Sequence, residues 1–217
     1  MLIHRIYDLI ILIAFTIGLV RFKNLTSPFK ILTCSVGVTI LLEILSLLFI
    51  EKYGNNVLIY HFMSMGGYSF YAATYFFLFK GKQIKRTILI SSVLVLIFFL
   101  VNLLYIQQPA DKQFPTNIYI ITNAFQVLFS LLFFKQLLQY LLNISITKQS
   151  AFWFNSAILF FSTTMFLNMA LLNYYAQHKW GYDVIYYLWE GNFCLFNIFI
   201  SVSLLMDKKV DTGLIDK

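Results

Sequence analysis

The sequence predicts an all-α fold, a single seven-transmembrane-helix bundle with its N-terminus outside and its C-terminus cytoplasmic. Three observations carry this expectation. The 217 residues are 60% hydrophobic and 12% charged, with a mean hydropathy of +0.78, well outside the composition of a soluble domain. Apolar stretches recur at the length a helix needs to cross a hydrocarbon core of about 30 Å, roughly 20 residues at 1.5 Å rise each. Lys and Arg also fall in alternate connections, the pattern of short cytoplasmic loops.

The first span, residues 6–22, follows His4 and Arg5 as the apolar run of a signal peptide would. No small-residue cleavage site follows Val20, and Arg21, Lys23 and Lys30 come after the run, so a retained helix is expected. The second, residues 28–50, begins at Pro28 and stops before the turn signal Gly54-Asn-Asn56. Residues 57–79 form the third, where Gly66 and Gly67 predict a close approach to a neighbouring helix. The fourth, residues 87–106, ends at a connection bounded by Pro109 and Pro115. Residues 116–142, 152–176 and 184–206 complete the set. Around the last connection, Tyr174, Tyr175, Trp180, Tyr182, Tyr186 and Tyr187 predict an interfacial aromatic belt.

With the N-terminus outside, twelve of the sixteen basic residues lie on the cytoplasmic side. Only Arg5, Lys52, Lys112 and Lys179 remain outside, and an even number of spans would not give this alternation. The net charge of +7 is thus topological, and nucleic acid is not an expected partner; the lipid bilayer is. Cys34 and Cys194 both lie within spans and give no disulfide framework. The loops leave no room for a soluble domain, so a signal sent inward requires a separate membrane or cytoplasmic partner.

Polar residues within the spans are concentrated in the outer half. Glu190 lies about 9 Å below the outer surface, and Glu43, on the oppositely directed second helix, lies at matching depth. Asp8 and His61 sit near outer helix ends, while Asn102, Asn123, Gln126 and Asn168 fall in the outer halves of helices 4 to 6. The inner half holds chiefly Asn155. A carboxylate in hydrocarbon costs at least ~2.5–3.5 kcal/mol, so such acids face a bundle interior or a wet cavity. Glu190, Cys194, Asn197 and Ser201 share one stripe of helix 7, and His61, Ser64, Tyr68, Tyr71 and Tyr75 share one of helix 3. Intramembrane Asn, Ser and Tyr also hold helices together by hydrogen bonds of ~0.6–2 kcal/mol; the tyrosines read as packing and the paired acids as function.

Several chemistries lack their residues. The prolines all lie at helix ends or in a loop, so the broken-helix site of many transporters is missing. No HExxH or GxSxG occurs, no lysine on helix 7 offers a retinal Schiff base, and the DRY and NPxxY patterns of G-protein-coupled receptors are absent. No cofactor or catalytic residue is expected.

Phe152-Trp-Phe-Asn-Ser156 with Phe160-Phe-Ser162 resembles the FWxNSxxLxYxS pattern of an uncharacterised bacterial seven-helix integral membrane protein family. The acid of Thr39–Glu43, the Asn55–Tyr60 opening of helix 3 and the Trp189–Asn197 segment are similar to it as well. The chain departs from it at Gly66-Gly67, where an acid is expected, and at Glu190, where a His is expected. The resemblance implies a sensory or signalling component of the bacterial cytoplasmic (inner) membrane, in some cases associated with sensor kinases. The function expected is a receptor-like module with an outward-facing polar pocket for a small polar or cationic ligand. Glu43, His61 and Glu190 would bind it and Asn123, Gln126, Asn168 and Asn197 orient it. Two alternatives stand beside this: a small-solute or ion transporter, with a continuous polar route past Asn155, and a membrane-embedded metal-dependent hydrolase, with His61 beside at least two acids.

Overall fold

The computed structural model describes residues 2–111, 113–140, 146–178 and 182–208. Among them the chain forms seven α-helices and no strand: α1 (Leu2–Arg21), α2 (Ser27–Tyr53), α3 (Val57–Leu78), α4 (Lys82–Val101), α5 (Thr116–Tyr140), α6 (Ser150–His178) and α7 (Tyr182–Met206). Five of these are long and apolar enough to cross a membrane, spanning Ser27–Tyr53, Lys82–Ile106, Thr116–Gln139, Ser150–Leu172 and Tyr186–Met206. The chain is therefore a multi-pass membrane protein. In α3, tyrosines, serines and glycines dilute the hydropathy of the remaining residues.

Helix limits follow backbone chemistry rather than apolarity. α2 runs on to Tyr53 and stops where Gly54 adopts a left-handed φ of 64° and returns its N–H to Ile50 O, the usual glycine C-cap. α4 begins at Lys82, since Lys, Gln and Arg are good helix formers although poor membrane residues. At its far end α4 widens into a π turn over Asn102–Ile106. There Gln107 ties the α4–α5 connection together, accepting from Asn102 Nδ2 (3.3 Å) and Asn117 N (3.1 Å) and donating to Thr116 Oγ1 (3.0 Å).

Packing order closes a ring: α1 against α2, then α3, α5, α6, α7 and back to α1, with α4 outside against α3 and α5. α1 and α2 are tightest toward their connection. A Cβ at Gly18 would lie 2.5 Å from Thr33 Cγ2 and 2.6 Å from Thr33 Oγ1, and that hydroxyl is already bonded to Phe29 O at 2.9 Å. The close approach expected at Gly66 and Gly67 is not found. A Cβ at Gly66 meets nothing within 4 Å, and one at Gly67 meets only Tyr71 of its own helix at 3.7 Å, because this side of α3 faces open space. Gly18→Ala accordingly lowers stability by about 1–3 kcal/mol through overpacking, whereas Gly66→Ala is neutral or slightly stabilising through helix propensity. Thermal unfolding in detergent distinguishes the two.

The ends of the bundle differ. At the end where α7 finishes, Asp207 is buried and accepts from Thr26 N (2.7 Å), Thr26 Oγ1 (3.2 Å) and Ser150 Oγ (3.3 Å), while its carbonyl accepts from Arg21 Nη2 (2.7 Å). One residue thus fastens the α1–α2 connection and the start of α6 to the end of α7. Above it lies an aromatic core centred on fully buried Tyr75, whose ring is 5.1 Å from Phe154, 5.9 Å from Phe133 and 6.1 Å from Phe129 between centroids. The Tyr75 hydroxyl donates to Asn155 Oδ1 at 2.6 Å, and the Asn155 amide donates to Ser130 O at 3.1 Å. Toward the Gly54 end the packing loosens around a cavity.

Candidate functional site

The cavity has a volume of about 480 Å³, within the range of small-ligand sites, and takes lining residues from all six ring helices and none from α4. Among the described residues its acidic members are Asp8 on α1, Glu43 on α2 and Glu190 on α7, and none of its lining residues is a Lys, Arg or His. Glu190 is buried and Glu43 half-buried. The Tyr7 hydroxyl donates to Glu43 Oε1, and both glutamates lie within electrostatic reach of Tyr7 and of Tyr60. Helical spacing does this work: Tyr7, Ile11, Ala14 and Gly18 form one buried stripe of α1, which turns Tyr7 inward beside the acids.

The floor and walls are aromatic. Tyr71 meets Phe196 at 5.7 Å, Phe196 meets Phe161 at 4.7 Å, and Phe161 meets Phe193 at 5.0 Å between centroids. Trp189 stacks on Phe193 at 6.2 Å, and Tyr7 lies 5.5 Å from the same ring. Gly67 lines the cavity too, and its missing side chain adds room where a helix approach was expected.

The amide residues divide. Gln126 lines the cavity with its Oε1 engaged by Ser162 Oγ at 2.7 Å, and Asn197 lines it while donating to Phe193 O at 2.9 Å. Asn123 lines it differently. Its Nδ2 donates to Tyr119 O at 2.7 Å, which fixes the orientation of the amide, and its Oδ1 has no hydrogen-bond partner although the residue is only 3% exposed. A buried acceptor left unmet costs about 1–3 kcal/mol. Such an atom on a cavity wall calls for a donor.

Two expected ligand residues are placed elsewhere. His61 does not line the cavity; its ring faces α4, 6.4 Å from the ring of Phe99, near the Gln107 backbone, and neither nitrogen makes a hydrogen bond of good geometry. Asn168 on α6 is buried but is likewise not a lining residue. Both share the depth of the acids and differ from them in direction around the bundle. The α3 stripe splays accordingly. Ser64 meets Thr122 of α5 at 3.2 Å, Tyr68 meets Ser91 of α4 at 2.9 Å, and Tyr75 reaches Asn155 of α6. Tyr7, Asp8 and Tyr60 complete the site and were not singled out by sequence as ligand residues. The α1 stripe was the available signal for Tyr7. In the aromatic belt Tyr186 and Tyr187 are exposed, while Trp180 and the side chains of Tyr174, Tyr175 and Tyr182 lie outside the described residues.

Among the described residues no group of three His, Cys, Asp or Glu side chains is arranged to hold a metal ion. Fold and site together define a multi-pass helical membrane protein with an acidic, aromatic-walled cavity at one end of the bundle. No protein-family model matches this chain, and neither a curated protein nor a solved structure matches it.

Proposed function

We propose that the chain is a receptor-like or sensory membrane module of a bacterial inner membrane, spanning seven times with the cavity facing outward, that binds a small cationic ligand and signals through a partner. One observation carries the reading: three carboxylates line one cavity together with the unmet Asn123 Oδ1. An ammonium or other cationic donor answers that set of acceptors, and the electron-rich faces of Tyr, Phe and Trp add cation–π attraction of ~0.5–2 kcal/mol. The twelve-to-four distribution of basic residues supports an outward-facing cavity end.

The transporter alternative draws less support. Below Tyr71 and Phe196 the interior is closed by the Tyr75 cluster, and the Asn155 amide that a polar route would pass is fully buried and committed to Tyr75 and Ser130. The hydrolase alternative required His61 next to two acids, and His61 faces Phe99.

Thermal unfolding of the purified protein with a panel of amines, quaternary ammonium ions and metals tests the proposal. A primary alkylammonium ion at saturating concentration raises the wild-type melting temperature by several degrees, and Glu43→Gln and Glu190→Gln each reduce the shift. A panel that shifts nothing, or shifts wild type and both variants alike, removes the ligand role from these acids.

A further inference from the structure

We infer that the cavity opens sideways into the bilayer through the seam between α1 and α2, and that its ligand is an amphipathic amine carrying a single alkyl chain. This deepens the proposed cation-binding role and rests on it.

The observation is a set of residues with two faces. Leu12 of α1 and Ile44, Leu47 and Ile50 of α2 line the cavity, yet they are 50%, 52%, 63% and 48% exposed on the bundle. Residues of a closed wall are not half exposed; these four form the rim of an opening. Ile44, Leu47 and Ile50 are spaced three residues apart, so they climb about 9 Å of α2 while winding gradually around it. All four rim side chains are hydrocarbon, whereas the rim of a water-facing mouth is ordinarily polar. At the other end of the same helix pair the seam is shut, with Gly18 against Thr33 and Gly37 against Phe15. α1 and α2 therefore diverge from their connection toward the Gly54 end, and the gap lies in the half that holds the acids.

The acids stand just inside this rim. Glu43 immediately precedes Ile44, and Asp8 lies one helical turn before Leu12. A ligand amine seated among Asp8, Glu43, Glu190 and Asn123 thus has hydrocarbon side chains between itself and the lipid, an arrangement suited to an alkyl chain and hostile to a second charge. The seam extends up to Ile50, so a small cation reaches the acids from its interfacial end as well.

The test uses full-length protein in lipid nanodiscs, with Trp189 as reporter after Trp153→Phe and Trp180→Phe. Methylammonium, dodecylammonium and 1,4-diammoniobutane, whose four-carbon chain is too short for its second charge to reach the bilayer surface from the depth of the acids, are titrated against its fluorescence. The inference expects the first two to saturate the signal, with the dodecyl compound effective at a concentration at least 30-fold lower. The dication binds more weakly than methylammonium, because its far charge would have to lie in hydrocarbon. Filling the rim with Leu12→Phe and Ile44→Phe weakens the dodecyl compound at least tenfold more than it weakens methylammonium. A dication that binds at least as tightly as methylammonium overturns the lateral opening while leaving the cation site standing, and it does so whether or not the rim variant folds. An unaltered dodecyl affinity in a folded rim variant has the same meaning. Absence of any response to all three compounds removes the cation site and the inference together.

Discussion

Glu43→Gln combined with Glu190→Gln lowers the affinity for a primary alkylammonium ion at least 100-fold, without loss of stability in the empty protein. Each carboxylate interaction with a cation is worth about 1.5–3 kcal/mol, and tenfold in affinity corresponds to ~1.4 kcal/mol, so two removals exceed the stated loss. Glutamine keeps the volume of glutamate, and at position 43 its carbonyl still accepts from the Tyr7 hydroxyl. The fold therefore keeps its α1–α2 bridge. Both glutamates also lie within electrostatic reach of the same two tyrosines, Tyr7 and Tyr60. Isothermal titration and thermal unfolding of the same preparation decide the matter. If the double variant binds as wild type does but melts well below it, the acids hold helices together and the cation site is refuted.

Asp207→Ala destabilises the bundle by about 1–3 kcal/mol. Four hydrogen bonds converge on it, from Thr26 N, Thr26 Oγ1, Ser150 Oγ and Arg21 Nη2, and the first three reach its side chain. Charged acceptors make the stronger hydrogen bonds of proteins, yet intramembrane polar contacts contribute less than their geometry suggests, which sets the lower end of the range. Asp207→Asn retains one acceptor oxygen and falls between alanine and wild type. Thermal unfolding in a mild detergent reads the order wild type, asparagine, alanine; equal melting temperatures for all three would remove the clamp from the account of stability.

The helices were legible because hydrocarbon is an unforgiving solvent, and a run such as Ile84–Val101 has few other places to go. The acids were legible for the same reason, since the cost of burying Glu43 or Glu190 singles them out before any neighbour is known. Periodicity resolves only which residues share a helix face, however, and depth only how far along it they lie. His61 and Tyr71 belong to one stripe of α3, yet one ring meets Phe99 of α4 and the other Phe196 of α7. The difference follows from the packing order of seven helices, which no single helix encodes. Asn168 was assigned by depth alone and sits at the wrong azimuth. Gly66 and Gly67 were read by residue type, whereas the tight crossing is at Gly18, where nothing in the local sequence marks Thr33 as its neighbour. Asp207 lies just past the last expected span, residues 184–206, and its donors come from the α1–α2 connection and the start of α6, which nothing in the local sequence marks.

The clamp at Asp207 also sets an order of events. Thr26 and Asp207 are 181 positions apart in the chain, so the beginning of α2 leaves the ribosome long before its acceptor exists. At synthesis rates of about 5–20 residues per second that interval is roughly 10–35 seconds. Through it the place of α7 beside α1 is unfilled, and water must satisfy Thr26 in place of the carboxylate. The ring closes only when its last helix docks between the first and the sixth. Docking of α7 thus sets the latch in the same step that completes the acidic chamber, and a nascent chain lacking α7 has neither.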